Sequence, residues 1–218
     1  MDDAQGAESD LAMEISNIIP LQKDQIVPAA EMLARAFEDD PLFKSLIPDD
    51  EKRRKKATHL FTFTLKLGIR YGEVYTTSQN LEAITVWMRP DEDNINLWKA
   101  LRCGVIPLIF RVGPRLMKKM NAVDGYGERV RKRLAPSRYW YLAILGVDPD
   151  HQGKGHASEL MKPMLKRIDG EGLPCYLETD TEKNISMYQH FGFKLLEHID
   201  VTEYNTQFDA MLKEPAAT

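Results

Sequence analysis

The chain has 218 residues, 43% hydrophobic and 28% charged, a balance that suits a folded unit with its own core and argues against a fibrous or low-complexity chain. Its net charge of −4 argues against nucleic acid as the partner of the whole chain. No apolar run approaches the ~20 residues of a membrane span, and the acidic, polar start from Met1 to Asp10 has no feature of a secretory signal.

Residues 1–12 are expected to be disordered, and 13–218 to form one domain with a helical insertion at about 91–137. Glu14 to Pro20 reads as a first strand. Asp24 to Phe37 has helical spacing in Ile26, Ala30, Leu33 and Phe37, and Asp40-Pro41 ends it. Asp50 to Ile69 reads as a second helix, basic at its start and apolar later. Glu73–Thr77 and Ala83–Met88 read as paired strands turned by Ser78-Gln79-Asn80, with Pro90 closing the second. Ile95 to Met120 holds many apolar residues, Trp98 and Phe110 among them, broken by Pro107 and Pro114. Two or three short helices are expected there, either a packed lobe of the core or a lid over a substrate. Glu128 to Arg133 is a charge run, read as a solvated face or an anion contact.

Then comes the most informative stretch. A strand, Leu142 to Val147, stops at Asp148-Pro149. The loop Gln152-Gly153-Lys154-Gly155-His156-Ala157 follows, and Ser158 opens a helical run through Leu160, Met161, Met164, Leu165 and Ile168. A strand, a glycine loop and a helix start expose backbone N–H groups and the positive end of the helix dipole to an anion. A P-loop is excluded because His156 follows Gly155. A dinucleotide fingerprint needs a third glycine where Ser158 stands, and most of a doubly wound sheet downstream. A turn that only caps its helix is the plain alternative. Further on, Pro174 to Thr179 reads as a short buried strand. Asn184 and Tyr188, four apart, share one helical face ahead of Phe191-Gly192-Phe193.

The loop Gln152-x-x-Gly155-x-Ala157 resembles the Gln/Arg-x-x-Gly-x-Gly/Ala loop of the GNAT superfamily of N-acetyltransferases. The order Asn184, Tyr188, Gly192-Phe193 is similar to that family's second segment. Within the family the wording is most similar to the puromycin N-acetyltransferase-like members, over about residues 139 to 193. The resemblance implies an α/β fold, the GNAT fold, with a central twisted mixed sheet flanked by helices on both faces. It implies acetyl-CoA as cosubstrate, its pyrophosphate on Gln152, Gly153, Lys154, Gly155, His156 and Ala157. Contacts near Leu145, Gly146 and Val147 are implied on the preceding strand, with Asn184 and Tyr188 completing the cofactor site. The implied function is acetyl transfer by direct attack of a small molecule's primary amine. A protein N-terminus or lysine is the alternative acceptor, and a non-catalytic acyl-CoA sensor the alternative of another class.

Amine acetylation sets its own demands. An ammonium of pKa ~10 has no lone pair to attack with, so a group must take its proton. The strand Leu142–Val147 has no carboxylate. The neighbouring strand carries Glu178, the expected base, whose plainer role is to accept structural hydrogen bonds; Glu82 and Asp180 are weaker candidates. Tyr188 resembles the family's phenolic proton donor and otherwise packs in the core. Cys103 and Cys175 make no metal spacing and no disulfide framework, so buried reduced thiols and a cytoplasmic location are expected. Cys175, inside a strand, is not expected to serve as a nucleophile. The five histidines form no metal-binding spacing, so no metal is expected, and the chain is expected to be a monomer or homodimer.

Overall fold

The computed structural model describes residues 18–216. The segment 1–12 and residues 14–17 of the expected first strand lie outside them. The described residues form a seven-stranded sheet in the order β1-β2-β3-β4-β5-β7-β6. The strands are β1 (Ile19–Pro20), β2 (Gly72–Thr76), β3 (Ala83–Met88), β4 (Trp140–Val147), β5 (Cys175–Thr179), β6 (Lys194–Val201) and β7 (Thr206–Lys213). Neighbours run antiparallel except β4 and β5, which are parallel. This is the mixed sheet that the resemblance implies.

The expected first helix is α1 (Ile26–Ala36). Asp40-Pro41 does end it, but the same pair starts a short helix, α2 (Pro41–Leu46). Asp40 accepts from the Phe43 amide at 2.9 Å and proline takes the first helical position. The long α3 (Asp50–Tyr71) follows. Between β3 and β4 stand α4 (Leu97–Cys103), α5 (Val105–Val112) and α6 (Pro114–Leu134). The last is 21 residues long and runs through the charge run. The glycine loop leads into α7 (His156–Gly170), and α8 (Glu182–His190) precedes β6.

One face of the sheet packs α1 and α3 through Met32, Leu33 and Leu65 against Ile84, Val86 and Ile144. The other packs α7 through Leu160, Met161, Met164 and Ile168 against Trp87, Leu142 and Leu177. Val130 of α6 closes a third cluster over Tyr176, Phe208 and Leu212. Trp98 and Phe110 lie in none of these clusters. They are 73% and 84% exposed, which removes the reading of both as core residues.

Candidate active site

The site begins with an irregularity in β4. Ile144 pairs with Val86, but the next pair joins Leu142 to Trp87, so Ala143 is an extra residue on β4. Such a bulge shifts the strand's phase by one. Leu142 faces the α7 side, Ala143 and Ile144 both pack on the α1–α3 side, and Leu145 faces α7 again. Pairing with β5 ends at the same place, with Leu142 opposite Leu177. From there β4 and β5 part.

The phase shift decides where the free backbone points. The Asp148 amide donates to Glu82 O on the β3 side at 2.8 Å. Two-residue alternation then turns the N–H groups of Gly146 and Ile144 toward β3, and those of Leu145 and Val147 toward the gap left by β5. The amides of Leu145 and Val147, where the resemblance implies cofactor contacts, therefore face an open fork. Gly146 plays a different part. A Cβ there would lie 2.5 Å from Leu33 Cδ2, so glycine allows α1 to lie against β4.

The fork leads to the glycine loop. Asp148 anchors its base. Its carboxylate is paired with Arg35 of α1 and accepts from the Asp150 amide at 3.1 Å. Burial would raise that carboxyl, but these hydrogen bonds and the Arg35 charge hold it below the usual range. Gly153 and Gly155 adopt φ of +75° and +92°, and a Cβ at either would meet nothing within 4 Å. The amides of Gly155, His156, Ala157 and Ser158, at the start of α7, donate to no group among the described residues. An N-terminus with free amides and open space before it suits a diphosphate. Gln152 and Lys154 are exposed, and Lys154 Nζ turns back to Asp150 O at 2.8 Å. His156 Nδ1 lies 3.0 Å from Glu159 Oε2.

Glu178 is the first β5 residue past the fork. Its two oxygens lie 3.1 and 3.3 Å from Arg131 Nη1, and the Tyr141 hydroxyl donates to Oε2 at 2.8 Å. Arg131 also donates from Nε to Asp93 at 3.0 Å, and its guanidinium lies 4.4 Å from the centre of the Tyr141 ring. The charge run is thus not wholly a solvated face, because the Arg131 side chain is only 11% exposed. Arg133 pairs with Glu197, and Lys132 with Glu128. Above Glu178, a Cβ at Gly127 of α6 would approach Oε1 to 3.3 Å, so the helix lies directly over the carboxylate.

Sequence reasoning missed Asp124, one turn before Gly127. The residue reaches the surface, but protein crowds its carboxyl, and that partial desolvation, with the Glu178 charge nearby, pushes it up to about 6. It has no hydrogen bond or ion pair among the described residues. No motif marks it, since the aspartate stands alone in a polar helix. Behind the pair, the Tyr176 hydroxyl is buried close to Glu178.

The other carboxylates have different surroundings. Glu82 is the acceptor of the β2–β3 turn. Burial opposes its charge, but hydrogen bonds led by Ser78 hold it at about 2. Asp180, just past β5, faces Asp40. Burial and the Asp180 charge push the Asp40 carboxyl up to about 7, and burial raises that of Asp180 also. The folded state therefore binds a proton that the unfolded chain releases near pH 4, so stability falls as pH rises from there to about 7. Asp40→Asn keeps the cap to Phe43 and removes the charge. It should stabilise the protein at pH 8 by on the order of 2 kcal/mol and have little effect at pH 4. Thermal melts at the two pH values measure this; equal changes at both would contradict the shared proton.

Tyr188 and Asn184 share α8. The Tyr188 ring is 7% exposed and packs edge-on to Phe193 at 5.8 Å. Burial raises its pKa well above the ordinary phenol value, with Cys175 and Asp180 nearby. Its hydroxyl has no hydrogen-bond partner among the described residues. Asn184 sits in the first turn of α8, behind the Thr181 cap. Gly192, at φ +90°, ends that helix. Both cysteines are buried, with thiols raised by burial. Among the described residues no cluster of three or more His, Cys, Asp and Glu could hold a metal ion.

Comparison with known proteins adds an independent line. Residues 119–193 match the model of the acetyltransferase (GNAT) family. An uncharacterised N-acetyltransferase of Schizosaccharomyces pombe is 29% identical over 199 residues, spanning 86% of this chain and 78% of that protein. A Corynebacterium glutamicum structure, described as a histone acetyltransferase and related acetyltransferase, is 20% identical with a TM-score of 0.65, covering 93% of this chain and 97% of that one. A putative arylalkylamine N-acetyltransferase from the mosquito Aedes aegypti is 14% identical with a TM-score of 0.61, covering 90% and 86%. The likeness to the two structures is one of fold.

Proposed function

We propose that this chain, which belongs to the GNAT family of acetyltransferases and is an N-acetyltransferase, moves an acetyl group from acetyl-CoA to the primary amine of a small molecule by direct attack. The observation that carries this reading is the fork. The bulge at Ala143 and the parting of β5 leave the Leu145 and Val147 amides facing a gap that leads to the free amides of α7. A diphosphate fits the loop from Gln152 to Ala157, and the thioester would then lie along β4 toward Glu178. Asn184 would flank the same gap.

The residues divide the proton work. Asp124 takes the ammonium proton, since its carboxyl is accessible and near neutrality is where a base works best. Glu178, held by Arg131 and Tyr141, supplies the fixed negative charge that draws the ammonium into place. The Leu145 amide faces the oxygen on which charge develops. Tyr188 keeps its proton at neutral pH and donates a hydrogen bond to the sulfur as negative charge grows on the departing thiolate, which solvent then protonates. Tyr188→Phe should therefore preserve folding and coenzyme binding while kcat falls; full retention of kcat would return Tyr188 to a packing role.

A small acceptor is favoured because α6 lies directly over Glu178 and narrows the approach from that side. An aminonucleoside-like antibiotic, suggested by the loop's similarity to puromycin-acetylating members, belongs to that class. Direct attack rests on the burial of both cysteines. Incubation with acetyl-CoA and no amine should leave the intact protein mass unchanged. A stable acetylated protein would overturn direct attack.

A further inference from the structure

We propose that the outward face of α4 and α5 is a docking surface for an anionic lipid membrane. Leu97 and Trp98 of α4 are 69% and 73% exposed, and Ile106 and Phe110 of α5 are 54% and 84% exposed. Both helices turn their other side inward through Cys103, Leu108 and Val112. Ile106 and Phe110, four apart, share one face of α5, and Leu101 lies three residues beyond Trp98 on α4. Large apolar side chains left exposed on two consecutive helices mark an interaction site.

The charges of the same stretch of chain point to the partner. Between 97 and 120 the chain carries six Lys and Arg and no Asp or Glu, although its net charge is −4. Lys99 is tied to Glu92 at 2.6 Å. Arg102, Arg111, Arg115, Lys118 and Lys119 are exposed, and none has an ion-pair partner among the described residues. The acids just upstream are already committed, Asp91 to Arg138 and Asp93 to Arg131. A second copy meeting this face with its own would oppose like charges. A nucleic acid would gain nothing from Leu97 and Ile106, which neither stack on bases nor hydrogen-bond. An anionic bilayer suits both features. Trp98 and Phe110 enter the headgroup–acyl boundary, and the cations meet the lipid phosphates and carboxylates. Neither helix contributes a residue to the site around Glu178 and the glycine loop, so docking would leave the chemistry free to act.

Co-sedimentation with vesicles tests this. The full chain should bind phosphatidylcholine–phosphatidylserine vesicles at least about tenfold better than phosphatidylcholine alone, and high salt should weaken that binding. Trp98→Ser with Phe110→Ser should weaken it by about tenfold or more. The melting temperature and the acetylation of a soluble small amine should stay unchanged, because both side chains are exposed. Lys118→Glu with Lys119→Glu should weaken anionic binding in the same way. Equal binding to both vesicles, no binding to either, or undiminished binding by the Trp98 and Phe110 variant would overturn the proposal. So would gel filtration in which that variant turns a dimer into a monomer with no change at vesicles.

Discussion

Gly155→Asp should abolish coenzyme A binding and, with it, acetyl transfer. Gly155 holds φ at +92°, a conformation that costs a non-glycine residue about 1–2 kcal/mol. The space around it is open, so the fold itself tolerates the change. The new carboxylate would stand where the amides of Gly155 to Ser158 are free, and would repel the diphosphate they suit. Calorimetry should show affinity for acetyl-CoA reduced at least about a hundredfold, with charge repulsion added to lost amide contacts. Gly155→Ala carries the strain without the charge and should lie between the variant and the parent. Retention of binding within a few-fold by Gly155→Asp would remove the loop from the cofactor site.

The carboxylate cluster under α6 gives the second large effect. Asp124→Asn should lower kcat/KM by about 10²–10⁴ while the protein stays folded. The sign of its pH dependence is fixed. The rate rises as Asp124 loses its proton, so the parent should show an ascending limb near pH 6 that the variant lacks. Arg131→Met differs, because it leaves Glu178 and Asp93 without their shared cation. Removing one partner of a buried pair costs about 3–5 kcal/mol, and melts should show it. Glu178→Gln should raise the acceptor KM more than it changes the limb. If Glu178→Gln removes the limb and Asp124→Asn keeps it, Glu178 is the base and Asp124 is surface.

Much of this arrangement is legible in the sequence, and what is not has definite physical causes. The stretch from β4 through the loop to α7 is punctuated by Asp148-Pro149 and two glycines, then by an unmistakable helical period. The bulge is silent, since Leu142-Ala143-Ile144 is an unbroken apolar run with neither glycine nor proline to mark it. Yet that bulge turns the Leu145 and Val147 amides to the gap. Arg131 hides among the surface charges of Glu128 to Arg133, because its partner Glu178 lies 47 positions downstream on another strand. Asp124 has no motif at all; only the approach of α6 to β5 gives it a role. Asp40-Pro41 was legible as a stop, while its second use, as cap and first residue of α2, depends on the chain turning back toward β7.

Acetyl transfer itself is the most direct test. The protein is incubated with acetyl-CoA and a panel of small primary amines, an aminonucleoside and an arylalkylamine among them, beside a peptide with a free N-terminus. Free thiol release is followed, and the products are identified by mass. Amine-dependent thiol release, with an N-acetylated small amine as product and no release without acceptor, is the expected result. Tight acetyl-CoA binding with no release for any acceptor would contradict it and leave a protein that only senses acyl-CoA.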